Sequence, residues 1–304
     1  MRSSRIAATL AAATLVLAGC GANSDPLATE SAAPSGSASG PVVVGSANFT
    51  ESQVLAELYA QAMKAKDVDA STKLNIGSRE VYIKALQDES ISMIPEYTGN
   101  LLLYFDPKAS ATTAEEVEKA LPAAIGDLKT LKPSSAADQD VYVVTKETSQ
   151  QKGITSLKDL KKISANSILG GPSELKDRAY GPEGLKSIYG ATFKQFRPYD
   201  SPAVKVKDLN DNKIQVAEFF TTESAIVDNG YVQLEDPQAM ILPQNVIPLI
   251  RPEVAENTAA TGAVEAVQAA LTTEELTALN KKVDVDRQEP AEVAEEWLQS
   301  KGLS

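Results

Sequence analysis

The chain has 304 residues, 43% of them hydrophobic, enough for a sizeable core in one large or two medium domains. Acidic residues outnumber basic ones by 41 to 29, and a surface with a net charge of −12 repels nucleic acid and anionic lipid. The absence of histidine and the single cysteine exclude Ser-His-Asp triads, Cys-His dyads, disulfides and most zinc sites, and no Walker loop, dinucleotide fingerprint or calcium loop occurs. Carboxylate or Ser-Lys chemistry stays open, although no local pattern argues for it. No cofactor, metal or nucleic-acid partner is expected.

Arg2 and Arg5 precede an apolar stretch, 6–18, and the run closes with Leu17-Ala18-Gly19-Cys20. A basic start, a short apolar core and small residues at a cleavage point form a secretory signal. A cysteine just after that point resembles the bacterial lipoprotein pattern. The resemblance implies that residues 1–19 are removed, that the Cys20 thiol carries a diacylglycerol, and that the protein is tethered to the extracytoplasmic face of the cell membrane. No later run reaches the roughly 18 apolar residues that suggest a span, so attachment would come from the lipid. Residues 20–41, rich in Ser, Ala, Gly and Pro, bury too little to fold and read as a flexible tether.

From residue 42, strand-like and helix-like segments alternate. Val42-Val43-Val44 is a short β-branched run. The helix after it has Thr50 as a candidate cap, Gln53 placed to reach back, and Phe49 and Val54 at the positions of a hydrophobic staple. Val54, Leu55, Leu58, Tyr59 and Ala62 then share one helical face. A strand is predicted at 74–76, a helix at 80–87, a strand at 91–94, and a capped helix opened by Thr112-Thr113-Ala114-Glu115 that runs toward Leu131. Strands follow at 140–145, 168–169, 193–196, 214–219 and 245–250, with a short helix start at 156–160 and helical patterns between. The segment 264–298 reads as two or three helices, one capped by Thr272 with Glu275, another with Pro290 in its first turn. This alternation predicts α/β layers with mainly parallel sheets.

Three segments place aromatic or small polar residues where a strand ends and a helix begins. They are Gly45-Ser46-Ala47-Asn48-Phe49-Thr50-Glu51-Ser52, Pro95-Glu96-Tyr97-Thr98-Gly99 and Phe219-Phe220-Thr221-Thr222-Glu223. Ligands of open α/β sheets sit there, where free N–H groups and the helix dipole favour a carboxylate. With Ser156-Leu157-Lys158-Asp159-Leu160 and Glu295-Glu296-Trp297-Leu298, these segments resemble the substrate-binding proteins of osmoprotectant ABC importers, the glycine betaine/choline binders of the ProX and OpuC type. The resemblance implies a two-lobed periplasmic-binding-protein-like fold of type II. Lobe 1 would comprise 42–139 plus 246–304 and lobe 2 would comprise 140–245, with two crossing strands as hinge and a ligand cleft between.

The resemblance also implies a monomer that is not an enzyme and that hands a small solute to a permease and its ATPase. A quaternary ammonium has no N–H, so aromatic faces or nearby carboxylates must hold it. Tyr97 matches a cage tyrosine, Phe220 a second cage position and Arg178 the carboxylate-binding arginine. Asn48, Thr50, Thr98, Thr221 and Gln244 are further candidates beside the cleft. The departures are Ala47 in place of a lysine, Val141 at a cage-tyrosine position unless a one-residue slip brings in Tyr142, and Leu242-Pro243-Gln244-Asn245 where aromatics are expected. A thinner cage implies weak betaine binding or a different small polar solute. A sensing or structural lipoprotein without transport is the remaining alternative.

Overall fold

The computed structural model describes residues 40–304; the expected signal segment, Cys20 and nearly all of the tether lie outside the described residues. In chain order the strands are β1 (Val42–Gly45), β2 (Ala70–Lys73), β3 (Met93–Tyr97), β4 (Lys129–Thr130), β5 (Asp140–Val144), β6 (Ile168–Gly171), β7 (Gln195–Pro198), β8 (Val216–Phe220), β9 (Val232–Gln233) and β10 (Val246–Ile250). They form two five-stranded sheets, ordered β2-β1-β3-β10-β4 and β7-β6-β8-β5-β9, in an α/β, two-lobed arrangement. No helix of the described residues is long and apolar enough to cross a membrane.

The first four helices are α1 (Thr50–Lys64), α2 (Arg79–Gln87), α3 (Thr98–Phe105) and α4 (Ala114–Ala124). The apolar face read from α1 is buried completely or nearly so, and Ala56 and Ala60 on its other sides are buried as well. Helices Thr258–Ala270, Thr273–Asp284 and Pro290–Lys301 supply the cover, with Val264, Val267, Leu276 and Trp297 in the same apolar cluster. Each leucine buried there contributes about 1.5–3 kcal/mol of transfer free energy. Tyr59 keeps its hydroxyl paired inside that layer by donating to Gln268 Oε1 at 2.8 Å.

The expectation of mainly parallel sheets is corrected. β1 runs parallel to β2 and β3, and β6 parallel to β7 and β8, but β10 is antiparallel to β3 and β4, and β5 antiparallel to β8 and β9. The reversed strands are those the chain uses on passing from one sheet to the other. At the crossing, the segments at 136–138 and 244–246 lie side by side: Asp138 N–H donates to Gln244 O at 3.0 Å and Val246 N–H to Ala136 O at 3.0 Å.

Several local boundaries also moved. The second strand is β2 at Ala70–Lys73, not 74–76, because Asn75 adopts φ 57° and the chain turns there. β3 starts at Met93 and runs through to Tyr97. The helix opened by the Thr113–Glu116 capping box stops at Ala124, with Gly126 at φ 67° just beyond. Thr50 does not cap α1: Phe49 holds that position without a side-chain cap, and the Thr50 hydroxyl donates to Asp284 Oδ1 at 2.6 Å.

Candidate functional site

A cleft of about 700 Å³ lies between the two sheets, lined from the β1–α1 connection, the carboxyl end of β3, and the end of β8. The β1–α1 connection is held from beneath. Ala47 N–H donates to Ser52 Oγ and Asn75 N–H to Ser46 Oγ, each at 2.9 Å. Phe49 then takes extended backbone, φ −136°, and its ring projects over the cleft. Its centroid lies 6.2 Å from that of Tyr97 and 5.3 Å from that of Phe220, both pairs tilted by about a third of a right angle. Three rings, from α1's entry, β3 and β8, therefore meet in one wall. Such faces attract a cation through the ring quadrupole.

The Tyr97 hydroxyl is fixed by donating to Glu51 Oε1 at 2.5 Å. The other oxygen of Glu51 accepts from Thr222 Oγ1 at 2.7 Å and Asn280 Nδ2 at 2.6 Å. Asp138, beside it, accepts from Thr221 Oγ1 and from Thr222 N–H, both at 3.0 Å. Burial raises the Glu51 carboxyl in spite of its three donors, and burial together with the Glu51 charge raises Asp138 well above its ordinary range.

Deeper in the cleft, β8 and β5 present acids. Register sets Asp140 opposite Phe220 and Tyr142 opposite Glu218, so all four share one face of the sheet. Asp140 Oδ2 accepts from Asn100 Nδ2 at 2.6 Å. Glu218 is 1% exposed, and no donor reaches either of its carboxylate oxygens. Lys205 lies close by, but its ammonium donates to the Glu218 backbone carbonyl at 2.8 Å and sits 3.8 Å above the Phe219 ring. Burial, with Asp140 adding to it and Lys205 opposing, raises the Glu218 carboxyl well above its ordinary range.

Three arginines line the cleft, Arg79, Arg178 and Arg287, and the first two are engaged by carboxylates. Arg79 forks onto Glu96 at 2.7 and 2.9 Å, where Tyr82 also donates at 2.7 Å. Arg178 reaches from the second sheet's side to Glu80 of α2 at 2.5 and 3.4 Å. Partial burial opposes it, but the bonds from Arg178 and Ser78 bring Glu80 down to about 2.

Of the residues expected at the site, Asn48, Thr50, Tyr97, Arg178 and Phe220 line this cleft. Thr98, Thr221 and Gln244 do not; they brace the crossing behind it. Thr98 Oγ1 donates to Pro243 O and accepts from Asn245 N–H, Thr221 Oγ1 donates to Asp138, and Gln244 exchanges two hydrogen bonds with Asn100. At the uncertain cage position neither Val141 nor Tyr142 reaches the cleft. Val141 packs with Phe219 on the far face, and Tyr142 is buried, donating to Tyr180 O at 2.7 Å. The strand offers Asp140 instead. Sequence reasoning missed Phe49, Glu51, Asp140 and Glu218. An acidic residue within an apolar run, as Glu218 is in Val216-Ala217-Glu218-Phe219-Phe220, was the signal available.

Comparison with known proteins agrees with this architecture. The glycine betaine-binding protein YehZ of Escherichia coli is 24% identical over 280 residues, 87% of this chain and 92% of that protein. The glycine-betaine-binding protein of Pseudomonas aeruginosa is 25% identical over 276 residues, 86% of this chain and 88% of that protein. A crystal structure of a glycine betaine/carnitine/choline ABC transporter component superposes with a TM-score of 0.69 at 23% identity, over 86% of this chain and 99% of that one, and shows the shared fold. Residues 40–300 match the substrate binding domain of ABC-type glycine betaine transport systems, and the chain belongs to that family.

Proposed function

We propose that this protein captures a quaternary-ammonium osmolyte outside the cytoplasm and delivers it to the permease and ATPase of an ABC importer. The observation that carries this reading is the wall of three rings, Phe49, Tyr97 and Phe220, with buried carboxylates beside it. Each ring face contributes about 0.5–2 kcal/mol to a desolvated cation. The lobes divide at 139/140 and 245/246, and closure about the crossing segments brings the walls onto the solute. Arg178 would exchange Glu80 for a ligand carboxylate where the ligand has one. The protein works as a monomer, transforms nothing, and needs no cofactor. Asn48 and Thr50 contribute polar contacts at the mouth of the cleft, while Thr98, Thr221 and Gln244 hold the hinge.

The names of the relatives, which bind glycine betaine or carnitine, support this class of solute. Thermal unfolding against glycine betaine, choline, carnitine, amino acids and sugars tests it. A true ligand at about 100 times its Kd adds roughly 2.7 kcal/mol, a shift of several degrees. Tyr97→Ala should abolish most of that shift, and a full shift in the variant would remove Tyr97 from the site. A response only to amino acids or sugars would overturn the ammonium reading.

The anchor is proposed from the resemblance at Leu17-Ala18-Gly19-Cys20. Cys20→Ser should release the protein from cell membranes into the soluble fraction, and a variant that still sediments with membranes would refute the anchor.

A further inference from the structure

We infer that a cation settling on the ring wall drives a proton off the buried pair Glu51–Asp138, so that solute capture strengthens as pH rises. This rests on the ammonium reading above and adds a pH control to it.

Geometry makes the two acids share a proton. Glu51, in the first turn of α1, is 3% exposed, and Asp138, at the crossing, is 4% exposed. Their carboxyls are in side-chain hydrogen-bond reach of one another. Thr222 bridges them, its Oγ1 donating to Glu51 Oε2 at 2.7 Å and its N–H to Asp138 Oδ1 at 3.0 Å. Two carboxylates this close and this dry do not both ionise, and one proton held between them removes the repulsion. The charged groups around the pair do not replace that proton. Arg79 is bound to Glu96 of β3, Lys205 stands 3.5 Å from Glu223, and Asp284 accepts from Thr50. Arg287, exposed where it lines the cleft, makes no ion pair among the described residues. From the helix Thr273–Asp284, only the neutral amide of Asn280 reaches Glu51, at 2.6 Å. Burial, then the Glu51 charge, pushes the Tyr97 phenol well above its ordinary range, so it keeps its own proton.

The pair is placed to feel a solute. Both acids line the cleft, and Tyr97 Oη donates to Glu51 Oε1 at 2.5 Å, so a cation on the Tyr97 face stands one hydrogen bond from the carboxyl. A positive charge that near favours the ionised acid. The cation therefore takes over the proton's role, and the proton leaves to bulk water. Linkage makes the effect reciprocal: the proton weakens the cation by the factor by which the cation weakens the proton. Composition makes the exchange readable. The chain has no histidine, so the usual source of side-chain protons between pH 5 and 8 is missing.

The test is calorimetric titration of the full-length chain with choline and with glycine betaine, at several pH values from 5 to 8 and in buffers of low and high ionisation enthalpy, repeated with Asp138→Asn. Neither solute titrates in this interval, so a buffer-dependent heat counts protons leaving the protein. Release of up to about one proton per solute is expected, with binding about tenfold tighter at pH 8 than at pH 5. Asp138→Asn keeps the acceptor for Thr221 and Thr222 but leaves Glu51 with no second acid, so release should fall to near zero and the affinity profile should flatten. Binding without proton release in the unaltered protein would overturn the exchange. Release undiminished in Asp138→Asn would assign it to the other acid pair of the cleft, Asp140 with Glu218, and overturn the role of Glu51–Asp138. Both results leave the ammonium reading standing. If neither solute binds at any of these pH values, the ammonium reading falls and this inference with it.

Discussion

Glu96 shows how one residue of a recognisable motif can serve the fold instead of the ligand. It is fully buried and accepts from Arg79 Nε, Arg79 Nη2, Tyr82 Oη and the N–H of Tyr97. These bonds fill its acceptor sites and pin the first residue of α2 to β3, which sets both Arg79 and Tyr97 at the cleft. Removing one partner of such a pair leaves a buried charge alone, at a cost of about 3–5 kcal/mol. Arg79→Met should therefore lower the unfolding midpoint by on the order of 10 °C in thermal melts. The double variant Arg79→Met, Glu96→Leu should lose less than Arg79→Met alone, because no lone charge remains. A single variant that melts within a degree of the parent would show that this fork does not hold α2 in place.

At the scale of elements, what was legible was local. The buried face of α1, a capped helix start within Thr112-Thr113-Ala114-Glu115, the Thr272 cap and Pro290 at the start of the last helix all depend on residues within a turn or two, and all stand in the structure. The antiparallel strands were not legible, because their partners are remote: β10 pairs Val246 with Tyr97, about half the chain away. Thr50 illustrates a local signal overridden by tertiary structure, since Asp284 of a distant helix takes its hydroxyl. The candidate site divides along the same line. Tyr97 and Phe220 were legible from their motifs, and strand alternation then explains why their neighbours Thr98 and Thr221 fall behind the wall. Phe49 was read as a staple, and only the approach of β3 and β8 sets its ring beside those of Tyr97 and Phe220. Asp140 and Glu218 acquire meaning only from the register that puts them on one face.

In the whole molecule, the two sheets are joined by crossing segments and by side-chain links that titrate in opposite directions. Glu80 bonds Arg178 across the cleft, and Glu51 bonds Thr222 beside Asp138 at the crossing. Glu80 is drawn down to about 2, so its contribution is present above the unfolded carboxylate value and fades only as pH falls toward 2. It is silent between pH 5 and 8. Glu51 and Asp138 are raised, by burial first and in Asp138 also by the Glu51 charge. For a raised acid the folded state holds the proton after the unfolded chain has released it, so stability is greatest below the unfolded value and is lost as pH rises toward the folded one. The crossing should therefore weaken from pH 5 to pH 8. Asp138→Asn removes one of the two charges and keeps an acceptor for Thr221 and Thr222. Its unfolding midpoint, relative to the parent, should rise between pH 5 and pH 8, and the parent's fall over that interval should be visibly flattened. Parallel midpoint profiles for the two proteins would show that the buried pair at the crossing does not govern the pH response of this fold.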